Sequence, residues 1–314
     1  MKNRIFCAVL VLATLVTVGC KKDDDDTTKP TLSGLELTSN CEAYMGVGCN
    51  IEVKADISNL VSDDDTFPDA IGLYWSLNGT KRDTLTLDAK VKNPAYTATI
   101  DKAGEYTLIC YAFNEDYYSS SASLTFTVLD PSTAITGLNG EASTQIGSQY
   151  YHTLTAGNKL WMGNNLYDTA TGTNYQDSEI LSPLFGKYYS WEEAQTACPS
   201  GWHLPSGADF DQCLGSGAGA LMANVSFVEK EMWPYWPNVK ITNTLDFNAM
   251  PVGYRDFTRN SSPEGGFKEY ACFWTSDQQD GLGEYRYIFA QNDTVLKGQG
   301  SKTSLAMSVR CIQD

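Results

Sequence analysis

Histidine is almost missing from this chain: His152 and His203 are the only two in 314 residues, and neither has a second metal-binding side chain at ligand spacing. Chemistry that depends on clustered imidazoles is therefore poorly supplied, and no metal or cofactor is expected. No H-E-x-x-H, G-x-S-x-G or C-x-x-C occurs, which removes the familiar zinc-protease, hydrolase and redox patterns. Basic residues are scarce as well, 22 Lys and Arg against 38 Asp and Glu, for a formal charge of −16. Such a surface repels phosphate backbones and anionic headgroups, so nucleic acid is excluded as a partner class. Apolar runs are confined to one place, the 14 uncharged residues from Ile5 to Val18. Behind Lys2 and Arg4 this reads as the core of a signal peptide, too short to span a bilayer. What the chain does have is 42% hydrophobic and 12% aromatic residues, enough at this length for about two packed domains.

Thr17-Val18-Gly19 lead into Cys20, and this junction resembles a bacterial lipobox. The resemblance implies that residues 1–19 are a lipoprotein signal peptide and that Cys20 is the acylated first residue of the mature chain. After Lys21 and Lys22, the like charges of the run Asp23 to Asp26 repel one another, so residues 20–31 are expected to form an extended acidic tether. Lysine followed by acids at this point also resembles the surface-export signal of Bacteroidetes lipoproteins. That implies an outer-membrane lipoprotein exposed on the cell surface, touching the membrane through its lipid anchor alone.

Residues 32–130 alternate cleanly. Ile51, Val53, Ala55 and Ile57 interleave with Glu52, Lys54 and Asp56, and Ile71, Leu73, Trp75 and Leu77 repeat the pattern, as half-buried strands do. Asn78-Gly79 supplies residues that tolerate positive φ in a tight hairpin. Further strands follow at Tyr106 to Phe113 and Ala122 to Val128, and several short strands with turns between them predict a β-sandwich. The order of Trp75, the Gly104-Glu105-Tyr106-Thr107 turn and the closing strand resembles Ig-like or PKD-like surface modules. A Cys41–Cys49 bridge is as compatible with this stretch as a Cys49–Cys110 bridge.

From residue 131 the composition shifts toward Gly, Ser, Asn and Trp. Ser190 followed by Trp191-Glu192-Glu193 is a capping box that starts a short helix, with Trp191, Ala194 and Cys198 on one side and Pro199 and Gly201 ending it. Ser206 and Asp209 repeat the arrangement. Leu160 to Leu166, Cys198 to Ser206, Phe247 to Arg255, Phe273 to Ser276 and Ser308 to Cys311 then occur in order, and together they resemble the Fibrobacter succinogenes major paralogous domain over residues 131–314. That family is similar to the C-type-lectin-like fold. The resemblance implies a Cys198–Cys311 bridge between the helix and the last strand, which leaves Cys213 and Cys272 as a second pair in an oxidising compartment. The expected architecture is mainly β with a small α+β C-terminal domain: an Ig-like β-sandwich followed by a C-type-lectin-like domain.

The ligand candidates are Trp233, Tyr235 and Trp236. Pro234 and Pro237 forbid a regular helix or central strand here, so the rings sit on a stiff segment that either offers faces for sugar stacking or plugs the core. His203, between Trp202 and Leu204, reads as a buried structural histidine. Asp277, Asp280 and Glu284 lack the spacing of a calcium loop and read as a solvated turn. No catalytic constellation emerges. The expected function is noncatalytic binding of a glycan or cell-surface protein by the C-terminal domain, or alternatively a structural, fimbria-associated role in surface assembly.

Overall fold

The computed structural model describes residues 29–63, 70–88, 94–213, 217–260 and 263–314, with the signal peptide, Cys20 and most of the acidic tether lying outside them. The chain divides into two compact units, Met1–Asp130 and Pro131–Asp314.

In the first unit the period-2 segments form the two layers of a sandwich. One sheet runs in the order Tyr44–Gly46, Ser120–Leu129, Gly104–Phe113, Ala70–Leu77 and Thr80–Asp88, and the other joins Glu36–Ser39, Cys49–Asp56 and Ala95–Ile100. Ile51, Val53 and Ala55 face Leu73, Trp75, Leu108 and Phe126 across a single core. Asn78 and Gly79 take φ of 48° and 75° at the hairpin turn. Asn78 does more than permit the turn: its Oδ1 accepts the Thr107 N–H at 2.8 Å and its Nδ2 donates to the Glu105 carbonyl at 3.2 Å.

The cysteines of this unit are unbridged. Cys41 and Cys49 are half-buried free thiols, which corrects the Cys41–Cys49 pairing. The two are nonetheless neighbours on the same core: burial, with a smaller electrostatic contribution from Cys49, pushes the Cys41 thiol up to about 11. Cys110 is buried in the core as a small hydrophobe, and desolvation pushes its thiol up to about 12.

The second unit is a set of short sheets around two seven-residue helices, preceded by a one-turn helix at Ser182–Phe185. Lys159–Met162 pairs with both Thr153–Ala156 and the terminal Ile312–Gln313, so the unit's early and last strands lie side by side. Both sequence-read capping boxes form. The Glu193 N–H donates to Ser190 Oγ at 3.2 Å and the Ser190 N–H to Glu193 Oε2 at 2.8 Å, starting the helix Trp191–Ala197. Ser206 and Asp209 exchange the same pair of bonds at the helix Gly207–Cys213. Trp191 and Ala194 are buried against Trp274 and Met307.

Cys198 and Cys311 are bonded, tying the end of the helix Trp191–Ala197 to the residue before the last strand. Cys272 is a free buried thiol, which corrects the Cys213–Cys272 pairing. The reason is the strand period. Phe273 pairs with Arg286, whose guanidinium reaches Asp211 of the helix Gly207–Cys213, so residue 273 is on the helix side of the sheet. Cys272, its neighbour, points to the opposite face.

Candidate functional site

The motifs that dominate the sequence of the second unit converge on one side chain, Arg310. It is fully buried, and its Nε donates to Asn165 Oδ1 at 2.6 Å. Nη1 donates to the carbonyls of Met162 (3.2 Å) and Phe247 (2.7 Å), and Nη2 to that of Asn248 (3.1 Å). The guanidinium carbon lies 4.6 Å from the centre of the Phe247 ring and 5.4 Å from that of Phe273. Residues from four of the five motifs are thus in contact at one point. No carboxylate is among its hydrogen-bond partners in the described residues. Desolvation pushes its pKa down to about 9, so it stays cationic at neutral pH, stabilised by carbonyl dipoles and ring faces.

A ring of asparagines braces this hub. Asn243 Nδ2 donates to Asn248 Oδ1 at 2.7 Å, the Asn248 N–H donates to Asn243 Oδ1 at 3.0 Å, and Asn248 Nδ2 reaches the Asn139 carbonyl at 2.8 Å. Asn243 and Asn248 both have positive φ, a conformation that asparagine tolerates. His152 sits close by with Nε2 3.2 Å from the Asp246 carbonyl, wedged where side chains on Gly140 and Gly163 would otherwise stand. These polar residues are consumed by holding loops together.

The aromatic segment is split by the fold. Trp233 is buried, its Nε1 donating to the Ala249 carbonyl at 3.2 Å, so it belongs to the core and is corrected as a ligand-facing ring. Tyr235 is 85% exposed and Trp236 37%, both flanked by exposed prolines. His203 is not buried, which corrects its reading as a core histidine: its Nδ1 lies 2.6 Å from Asp314 Oδ1 at the surface. Asp280 and Gly281 form the hairpin turn with positive φ, while Asp277 accepts the Gly207 N–H and Glu284 leans toward Arg286. Among the described residues no group of three or more His, Cys, Asp or Glu is placed to hold a metal ion.

One surface was not anticipated. Tyr254, Tyr270, Tyr285 and Tyr287 cluster at the rim of the core beside Trp274 and Cys272. In sequence these tyrosines are scattered over 34 residues on three strands, and only strand register brings them together.

Sandwich, hub and bridge define an all-β module followed by a disulfide-closed α+β module organised around a buried arginine. The second module identifies the lineage: the chain belongs to the Fibrobacter succinogenes major domain family, which matches residues 154–313. No curated protein matches the chain. Among solved structures, a CARDB domain from Pyrococcus furiosus is similar at 16% identity with a TM-score of 0.25, covering 34% of this chain and all of that one. The PKD domain of the human VPS10 domain-containing receptor SorCS2 is similar at 16% identity and a TM-score of 0.27, covering 38% of this chain and 99% of that one. The Yersinia pseudotuberculosis adhesin InvE is similar at 12% identity and a TM-score of 0.26, covering 91% of this chain and 70% of that one.

Proposed function

We propose that this protein is a noncatalytic lipoprotein of the bacterial outer surface, in which the sandwich is a spacer and the C-terminal unit, a C-type-lectin-like module, binds a glycan. The observation that carries the reading is the pair Tyr235 and Trp236, two large rings held out toward solvent between Pro234 and Pro237. Exposed aromatic faces on a stiff segment lose little entropy on binding and stack on sugar rings. A Cys198–Cys311 bridge from a helix to the chain's end, with early and last strands paired, is compatible with a lectin-like frame. The residues with catalytic potential serve structure: Arg310 and His152 are held in loop contacts, and Cys272 is sealed in the core.

A glycan array probed with the full mature chain tests the binding reading. Wild-type protein is expected to give a specific hit, and Tyr235→Ala/Trp236→Ala to weaken it on the order of tenfold to a hundredfold, one to two stacking contacts' worth. An unchanged hit sinks the assignment of this segment, and no hit on any glycan moves the reading to surface assembly. For the anchor, cells fed an alkyne fatty acid are expected to label the wild-type protein and not Cys20→Ala, and protease added to intact cells is expected to degrade it. Label retained in Cys20→Ala would refute lipidation at that residue.

A further inference from the structure

We infer that the tyrosine-bearing face of the sheet Tyr270–Gln279, Leu282–Phe289 and Val295–Gly300 is a second carbohydrate contact, shaped for an extended neutral glycan. The inference rests on reading the C-terminal unit as a glycan-binding module.

Register creates the face. Tyr270 pairs with Phe289, Cys272 with Tyr287 and Trp274 with Tyr285, and the third strand sets Gly298 opposite Tyr285 and Leu296 opposite Tyr287. Directly paired residues share one side of a sheet, so these side chains stand together. The other side carries Phe273, Arg286 and Ile288 and is covered by the helix Gly207–Cys213. On the tyrosine side the rings form a continuous row. Phe289 stacks on Tyr270 at 4.8 Å, Tyr270 lies 6.1 Å from Tyr287, and Tyr287 lies 5.7 Å from Tyr285, which meets Trp274 edge-on at 5.7 Å.

Glycines let the rings lie down. A Cβ on Gly298 would come within 2.3 Å of the Tyr285 ring, one on Gly266 within 2.4 Å of Tyr270, and one on Gly265 within 2.7 Å of Tyr254. Three tyrosines therefore occupy the space where side chains on the neighbouring backbone would stand. Trp274 and Cys272 on the same face are buried in the core, Trp274 donating its indole N–H to the Tyr189 carbonyl at 2.7 Å.

The hydroxyls carry the second half of the argument. Those of Tyr254, Tyr270, Tyr285 and Tyr287 are neither buried without partners nor hydrogen-bonded to any described residue, whereas Tyr188 nearby donates to the Val252 carbonyl. Burial pushes Tyr285 up to about 12 and raises Tyr270, so these two hydroxyls remain protonated donors at physiological pH. A row of rings tipped with free hydroxyls matches a chain of hydroxylated rings, whose C–H faces lie on the tyrosines and whose hydroxyls take the phenol hydrogen bonds. Charge selects among glycans. Beside Tyr254, Arg255 is paired with Asp177 and Glu264, Lys268 donates to the Glu231 carbonyl, and the chain as a whole carries −16. That net charge disfavours an anionic polysaccharide.

The test is retention of the full mature chain on immobilised β-glucan, β-mannan and heparin, with a proline-rich peptide as the protein-type probe. Tyr254→Phe/Tyr287→Phe keeps both rings and removes two hydroxyls that no described residue hydrogen-bonds, so its melting temperature is expected to match wild type. Its affinity for one neutral polysaccharide is expected to fall about tenfold, and that of Tyr287→Ala further, while Tyr235→Ala/Trp236→Ala leaves this interaction in place. Neutral-glycan binding lost only in Tyr235→Ala/Trp236→Ala overturns this inference and leaves the proposed function standing. Retention on heparin or the peptide alone, or on nothing, overturns the inference too, and only the last of these also counts against the glycan reading.

Discussion

Replacing Arg310 by methionine is expected to lower the unfolding free energy of the C-terminal unit by about 3–5 kcal/mol, the range for removing one member of a buried polar network. Methionine fills similar volume, so a cavity is a minor part of the loss. The larger part is what remains behind. Asn165 Oδ1 and the carbonyls of Met162, Phe247 and Asn248 lose a charged donor each, in a place where water has no access to replace it. Arg310→Lys is expected to fail as well, because an ammonium on a flexible stem cannot address four acceptors that a planar fork reaches at once. Urea unfolding followed by tryptophan fluorescence measures both. A loss under about 1 kcal/mol for the methionine variant would show that the guanidinium is interchangeable with apolar volume, as some buried ion networks are.

The Cys198–Cys311 bridge is the second large term. It spans a sequence separation of 113. On chain-entropy grounds, closing a loop of roughly 100 residues stabilises by about 4–5 kcal/mol, so Cys198→Ala/Cys311→Ala is expected to lose that amount less any native strain released. A domain's whole stability is on the order of 5–15 kcal/mol, which makes either change large enough to leave a measurable unfolded fraction. Reductant supplies the control. It is expected to lower the melting temperature of wild type and to leave the double variant unmoved, since Cys41, Cys49, Cys110 and Cys272 are already free thiols. A further fall on reducing the double variant would mean that a second bridge exists.

Both results concern residues that the sequence marked plainly. Arg310 and Cys311 stand in the same closing motif, and the bridge was legible because Cys198 follows the Trp191 and Ala194 helix pattern of a recognisable family. What the sequence did not convey is why the motifs persist together. Leu160 to Leu166, Phe247 to Arg255 and Phe273 to Ser276 each look like local signatures, and only the fold shows them delivering acceptors and ring faces to one guanidinium.

Local rules set what was readable. Alternation placed the strands of the sandwich, Asn78-Gly79 marked its hairpin, and the hydroxyl–carboxylate pairs Ser190 with Glu193 and Ser206 with Asp209 started both helices, because each of these depends on residues a few positions apart. Tertiary structure decided everything that depends on which side of a strand a residue faces. A one-residue step sends a side chain to the opposite face, and that step put Cys272 away from the helix that carries Cys213 and onto the face of a tyrosine row. Trp233, which lies in no strand, is buried by core packing and by its indole hydrogen bond to the Ala249 carbonyl, while Tyr235 and Trp236 remain outside. Sequence alone determined the elements, the capping and the family; pairing register, a property of strands far apart in the chain, determined which aromatic rings reach water.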